Sequence, residues 1–308
     1  MFETYKTISM VVILVTLLIG LGGLIGNTLA FVGLQRQVKK SPTTFLFQAL
    51  AAADNMVILL FWAFFLYNTK IIYFNYSDPT MFIRAAYFIT PLMEMALLAS
   101  TLITVLLAVV RYIAVCYPFL ARTYCNINVV RYYITTALIF SVAFNELHYV
   151  FRGLPSGPIE RTAEAKLEAR YPVEPYPMAL RIFEHYLMPL VFIILPLFII
   201  IAITTRLSLR MRAIRRQRSL LTRSQRQKMN TTRILIAVLV VFSICSLPYP
   251  IAISLEYFRE ESIMIAYAIL YLNLITYTLY IVNSSVNVIV YSVFNKHYRK
   301  SLCFKCKS

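Results

Sequence analysis

Acidic side chains are scarce in this chain: Asp and Glu number 13 against 30 Lys and Arg, which leaves a formal charge of +17. Histidine is scarcer still, and His148, His185 and His297 are widely scattered, so no Cys/His cluster has zinc-ligand spacing. Among the few glycines there is neither a phosphate-cradling loop nor a Gly-x-Ser-x-Gly elbow. Nothing asks for a catalytic cofactor, and no residues present themselves as catalytic. The basic residues are confined to short stretches between apolar runs instead of being interleaved along a groove, which argues against a nucleic-acid partner. A lipid bilayer with a basic cytoplasmic face accounts for them better.

Apolar residues are what the chain has in excess. A 308-residue chain that is 60% hydrophobic and 14% charged cannot hide its apolar surface in one soluble core of ordinary proportions. Runs of the length needed to cross about 30 Å of hydrocarbon as a helix occur seven times, at 8–32, 45–67, 88–110, 129–151, 187–207, 234–255 and 263–293. The expected fold is an all-α membrane protein, a seven-transmembrane helix bundle forming one domain over 1–308. Its helices fall at about 8–35, 43–68, 81–114, 129–152, 179–214, 230–258 and 263–293, followed by a short amphipathic inner-leaflet helix at about 294–302.

Charge placement orients the bundle. With the N-terminus outside and the C-terminus cytoplasmic, the inner loops and tail hold 21 of the 30 basic residues and none of the 13 acidic ones. The first run exceeds a signal-peptide core and its positive flank follows it, so it is read as a retained first helix. Asn75 opens an Asn-Tyr-Ser sequon in the first outer loop and is the glycosylation candidate. All five cysteines fall on the inner side or within the membrane, which leaves no extracellular disulfide. Cys303 and Cys306 follow the amphipathic run as palmitoylation candidates or as two plain thiols.

A carboxylate in hydrocarbon is a functional hypothesis by default. Asp54 in the second span is the clearest case. Asn27, Ser100, Asn283, Ser284 and Asn287 supply short oxygen-bearing side chains at comparable depth. One anionic carboxylate among neutral oxygens suits a sodium ion; the alternative is a hydrogen-bonded cluster that joins helices. Glu94 lies roughly four helical turns from Arg111 on the third span, facing either a ligand cavity or a neighbouring tyrosine. With Glu146, Glu184 and Glu256 it makes the outer mouth acidic, favouring a cationic or arginine-containing ligand. His185, Tyr249 and Tyr277 complete the ligand-facing candidates with Glu94 and Glu256.

Taken in order, these residues resemble the rhodopsin-like G-protein-coupled receptors. Gly26-Asn27, Leu50-Ala-Ala-Ala-Asp54, Arg111-Tyr followed by Pro118-Phe119, Pro196, Phe242 with Cys245-Ser-Leu-Pro248, and Asn283-Ser284-x-x-Asn287-x-x-x-Tyr291 look like the family's motifs along the whole chain. Leu221-Thr-Arg-Ser-Gln-Arg226 and the stretch Arg111 to Cys125 look most like invertebrate FMRFamide-type neuropeptide receptors and their chemosensory relatives. The resemblance implies a plasma-membrane receptor for an extracellular peptide or small molecule, acting on a heterotrimeric G protein. It implies an amidated Arg-Phe peptide whose arginine pairs with Glu94 or Glu256. It places Asp54, Ser100, Asn283 and Asn287 in a sodium site, and Arg111, Phe242, Pro248 and Tyr291 in the coupling switch.

Several positions depart from that pattern. Val110 stands where an acid normally precedes the arginine, Lys228 offers no acid from the sixth span, and Ser246 and Val288 replace a tryptophan and a proline. Arg111 is therefore expected to lack its usual ionic restraint. A non-signalling decoy stays open on these grounds. A cation transporter using Asp54 and Glu94 stays open too, although no inverted repeat supports it.

Overall fold

The computed structural model describes residues 2–36, 41–74, 79–152, 182, 186–216, 223–256 and 263–294. Among them the chain forms α1 (Phe2–Gln35), α2 (Pro42–Phe74), α3 (Pro79–Cys116), α4 (Pro118–Tyr124), α5 (Ile127–Arg152), a π-helical stretch Leu190–Ile194 leading into α6 (Leu195–Arg216), α7 (Arg223–Ser246), α8 (Pro248–Glu256) and α9 (Ile263–Phe294). No strand occurs among the described residues, as expected where lipid cannot satisfy exposed backbone groups and each segment must bond to itself. Seven segments are long and apolar enough to cross a bilayer. The chain is an all-α, seven-span bundle.

Several boundaries differ from the sequence expectation for identifiable reasons. The helix expected from 230 begins at Arg223, because residues 223–229 are mostly Arg, Gln, Lys and Met, good helix formers that a search for apolarity passes over. The expected helix 230–258 is two helices divided at Leu247. Pro248 has no N–H to give the Ile244 carbonyl, and the Leu247 N–H reaches that carbonyl at 3.4 Å in a tighter turn. Pro196 likewise leaves the Phe192 carbonyl without its usual donor, and the preceding residues Leu190–Ile194 run in π-helical register. The helix α4, unforeseen from hydropathy, starts at Pro118 in its first turn. The amphipathic run 294–302, apart from Phe294 at the end of α9, lies outside the described residues, as do Asn75, His185, Cys303 and Cys306.

Two helix starts at the basic end are capped. The Ser41 hydroxyl accepts from the Thr44 N–H at 3.1 Å with Pro42 next in line, and the Asn126 side-chain oxygen accepts from the Val129 N–H at 2.9 Å. The Arg131 guanidinium lies 5.3 Å from the Phe45 ring centre, a cation–π contact tying α5 to α2.

The helices close into a ring: α1 packs on α2 and α9, α2 on α3, α3 on α5 and α6, α6 on α7, and α7 and α8 on α9. Lipid removes the hydrophobic force between helices, so close backbone approach and polar bonds must hold them. Gly20 meets Trp62 and Ile58 of α2, and Gly23 sits hard against Ser285 of α9 and Ile58. Cross-helix bonds reinforce these contacts: Asn27 Nδ2 donates to the Ser284 carbonyl at 2.9 Å, and the Thr16 and Thr278 hydroxyls are 3.1 Å apart. Such bonds are worth about 0.6 kcal/mol each on average in a bilayer, so the glycine contacts matter at least as much. A Cβ at Gly23 would strike the Ser285 side chain, whereas one at Gly22 would meet nothing. Gly23→Ala is expected to destabilise the detergent-solubilised protein by about 1–3 kcal/mol, while Gly22→Ala leaves it equal or more stable. Thermal melting of the two variants side by side checks this, and equal melting temperatures would contradict the packing account.

Candidate functional site

Asp54, on α2, is fully enclosed where α2, α3 and α9 meet. Such a carboxylate must have its oxygens satisfied, and it does. Ser100 donates its hydroxyl to Oδ1 at 2.7 Å, and Asn287 donates Nδ2 to Oδ2 at 2.6 Å. The Ser284 side chain faces the same carboxylate. Residues 283, 284 and 287 lie close to one helix face; Ser284 and Asn287 are buried at the carboxylate, while Asn283 is half-buried. The structure thus gathers Asp54, Ser100 and Asn287 as the sequence suggests, and takes Ser284 in place of Asn283. Asn27 joins from α1 through the Ser284 carbonyl, and its own Oδ1 is buried without a hydrogen-bond partner among the described residues.

This polar layer divides the interior. On one side lies an apolar cluster containing Leu46, Leu50, Ile103, Leu107, Val110, Leu235 and Phe242; on the other, one containing Val57, Phe61, Phe65, Met93, Leu98, Phe192 and Tyr280. Asp54 falls between Leu50 and Val57 in its helix, and Ser100 between Leu98 and Ile103, so each helix crosses from one cluster to the other at its polar residue.

Beyond the second cluster the aromatics gather. The Phe61 ring lies 5.6 Å from Tyr277 and 6.0 Å from Tyr280, Phe64 lies 5.5 Å from Tyr277, and Tyr249 lies 6.1 Å from Tyr280. These separations are those of interacting rings. Glu94 of α3 is within electrostatic reach of buried Tyr280 of α9, whose ring lies 6.1 Å from that of Tyr249 on α8. The structure therefore joins three of the residues named from sequence, Glu94, Tyr249 and Tyr277, and adds Phe61, Phe64 and Tyr280. Helical spacing could have found the two phenylalanines, since 61, 64 and 65 share a face of α2. Glu256 ends α8, but its side chain, like that of Tyr291 in α9, lies outside the described residues.

At the opposite, basic end Val110 is buried in the first cluster and Phe242 packs with it. Arg111 follows, and its Nε is buried without a hydrogen-bond partner among the described residues. Pro248 stands at the head of α8 rather than inside a continuous helix, so the element above the break can turn separately from the one below. Sequence reading missed α4, which places Phe119, 82% exposed, and Leu120 at the mouth of this end. The signal available was the Tyr-Pro-Phe-Leu run, with proline in position to start a helix. Cys116, Cys125 and Cys245 are present as thiols.

Comparison with known proteins agrees with this layout. The profile of the family described as 7 transmembrane receptor (rhodopsin family) matches residues 26–291. The FMRFamide receptor of Drosophila melanogaster is 26% identical over 92% of this chain and 51% of its own length, so the chain spans about half of that relative. The FMRFamide peptide receptor frpr-18 of Caenorhabditis elegans is 28% identical over 95% of this chain and 68% of its own, and the neuromedin-U receptor 2 of Mus musculus 23% identical over 95% and 74%. These relatives are receptors, not enzymes. With seven spans, a polar layer at mid-depth and a profile match covering most of its length, the chain belongs to the rhodopsin family of seven-transmembrane receptors.

Proposed function

We propose that this receptor sits in the plasma membrane with its N-terminus outside, binds an amidated neuropeptide at the Glu94 end, and activates a heterotrimeric G protein at the Arg111 end. The observation that carries this is the arrangement along α3. An acidic, aromatic-walled mouth and a basic, apolar-rimmed end lie roughly 25 Å apart on one helix, with the Asp54 layer between them. A ligand that favours one packing of that layer shifts the population of the far end. The charge asymmetry supports the orientation, because 21 of 30 basic residues gather at the Arg111 end and its connections.

The mouth suits a peptide ending in Arg-Phe-amide. Glu94 offers a carboxylate for the guanidinium, and Tyr249, Tyr277, Tyr280 and Phe61 offer rings for the phenylalanine. The FMRFamide receptors among the relatives support a peptide of this kind. At the far end Arg111, Phe242 and the exposed Phe119 supply a buried charge beside apolar anchors, the mixture that carries protein–protein interfaces. A sodium ion fits the central layer: one carboxylate, hydroxyls from Ser100 and Ser284, and the partnerless Asn27 oxygen are hard donors. Bound there, it would add positive charge against Asp54 and hold α2, α3 and α9 in the inward-packed arrangement.

Three outcomes are expected. Arg-Phe-amide peptides, screened on cells reporting calcium and cyclic AMP, elicit a response that Glu94→Gln weakens by roughly 10- to 100-fold, the worth of a charge-assisted bond; unchanged potency would remove Glu94 from the ligand site. Sodium chloride, compared with choline chloride at equal ionic strength, raises the melting temperature of the native protein and leaves that of Asp54→Asn unmoved. A parallel rise in both would place sodium elsewhere. Finally, because Val110 gives Arg111 no neighbouring acid, nucleotide exchange on a purified G protein is expected to proceed measurably without ligand and to vanish in Arg111→Gln. Absence of exchange with and without an active peptide would mark the chain as a non-signalling receptor.

A further inference from the structure

Where α3 ends and α6 leaves the bundle at its basic end, an open cavity of about 530 Å³ is lined by Tyr112, Cys116, Tyr117, Arg206, Leu209 and Arg210. It is shallow and open, with Arg206 and Arg210 both exposed to solvent. Arg206 and Arg210 are one turn apart on α6, so both guanidinium groups belong to the same face. Tyr112 and Tyr117 approach from α3 and the turn after it, their rings 5.9 Å apart and their hydroxyls hydrogen-bonded. That bond pushes the Tyr117 phenol up from its ordinary range, so it stays a neutral O–H.

The cavity concentrates donors and has no acid to neutralise them. Residues 95–145 and 186–255, which include α4, α6, α7 and the basic half of α3, contain no Asp or Glu. Glu94, the carboxylate of α3, is roughly 25 Å away along the helix. Two uncompensated arginines and a phenol pair facing one space form a receptor for a compact polyanion, and a phosphate monoester, with about two charges and three acceptor oxygens, matches them. Depth points to the source. By length and apolarity the third span ends at Cys116, on the cavity wall, and Arg206–Arg210 fall in the last turns of the fifth, which runs to Ile214. Leu209 on its wall is 58% exposed, and Phe119 and Leu120 lie exposed just past Tyr117. An anion held here has apolar surface beside it for acyl chains.

We propose that this cavity is a binding site for the phosphate-monoester headgroup of an anionic inositol lipid, with Arg206 and Arg210 as its anchors. The site needs only the bundle and its basic end, and stands independently of the ligand assigned to the opposite mouth.

The test uses the full chain in detergent micelles and a fluorescent short-chain phosphatidylinositol 4,5-bisphosphate, read by polarisation. Saturable binding is expected, weakened about fivefold by Arg206→Gln or Arg210→Gln alone and on the order of 25-fold by both. Tyr117→Phe, which removes one neutral donor, should weaken it by roughly threefold to tenfold. Arg122→Gln and Arg212→Gln, whose residues do not line the cavity, should leave it unchanged. R206K/R210K keeps the charge and serves if the double glutamine variant does not fold. It should still lose affinity, because a lysine lacks the guanidinium fork. Soluble inositol trisphosphate competing as tightly as the lipid would support the phosphate site and assign it to a free polyphosphate. Competition by the lipid alone would assign it to the membrane. Equal losses from Arg122→Gln and Arg206→Gln would overturn the proposal in favour of a diffuse basic face. Tighter displacement of the probe by an acidic peptide than by either phosphate compound would overturn it in favour of a protein partner.

Discussion

A carboxylate held away from water needs its oxygens satisfied by neighbouring donors, and inside a bilayer those donors must come from other helices. Asp54 recruits Ser100 from α3 and Asn287 from α9, at 2.7 and 2.6 Å. That requirement fixes which faces of three helices turn inward at mid-depth. Asn27 extends the constraint to α1 through the Ser284 carbonyl. The apolar clusters above and below then fill the space that the polar layer leaves, and neither continues through it. An isosteric apolar core would hold the bundle as well or better; what the polar layer adds is a hydrogen-bonded junction between the two apolar clusters.

The two ends are built by opposite chemistry. At one, a carboxylate lies within electrostatic reach of Tyr280, whose ring packs with those of Phe61 and Tyr249. At the other, arginines stand beside apolar side chains with no acid in the neighbouring segments. Arg111 illustrates the second. Its usual restraint would be an acidic neighbour, and the residue before it is Val110, which packs into the basic-end cluster instead. The buried Nε is left without a hydrogen-bond partner among the described residues. The break at Leu247, and the π-helical register before Pro196, come from prolines that remove a backbone donor. Both lie in membrane-spanning helices, where a locally weakened hydrogen-bond ladder makes bending less costly.

Much of the architecture was legible in the chain itself. Seven apolar runs and the confinement of acid to one side follow from bilayer physics, because hydrocarbon thickness sets the run length and internal hydrogen bonding forces each run into a helix. Asp54 was legible for the same reason: a charge in such a run must be satisfied, and only a few short polar residues lie at its depth. Where helices stop was less legible, since Arg, Gln and Lys continue a helix after hydrophobicity ends, as α7 does from Arg223.

What the tertiary structure decided was which side chains meet. Hydropathy cannot tell Asn283 from Ser284, because the choice depends on how α9 is rotated against α2, and that rotation is set by Gly23 seated on Ser285 and by Asn287 reaching Asp54. Nor could it bring Phe61, Tyr277 and Tyr280 together, or turn Arg206 and Arg210 toward Tyr112 and Tyr117. The sequence by itself determined that seven helices cross a membrane, with charge at one end and a satisfied carboxylate between. The packing decided the partners, because helix rotation is set by side-chain fit between helices distant in sequence, and periodicity within one helix does not contain that information.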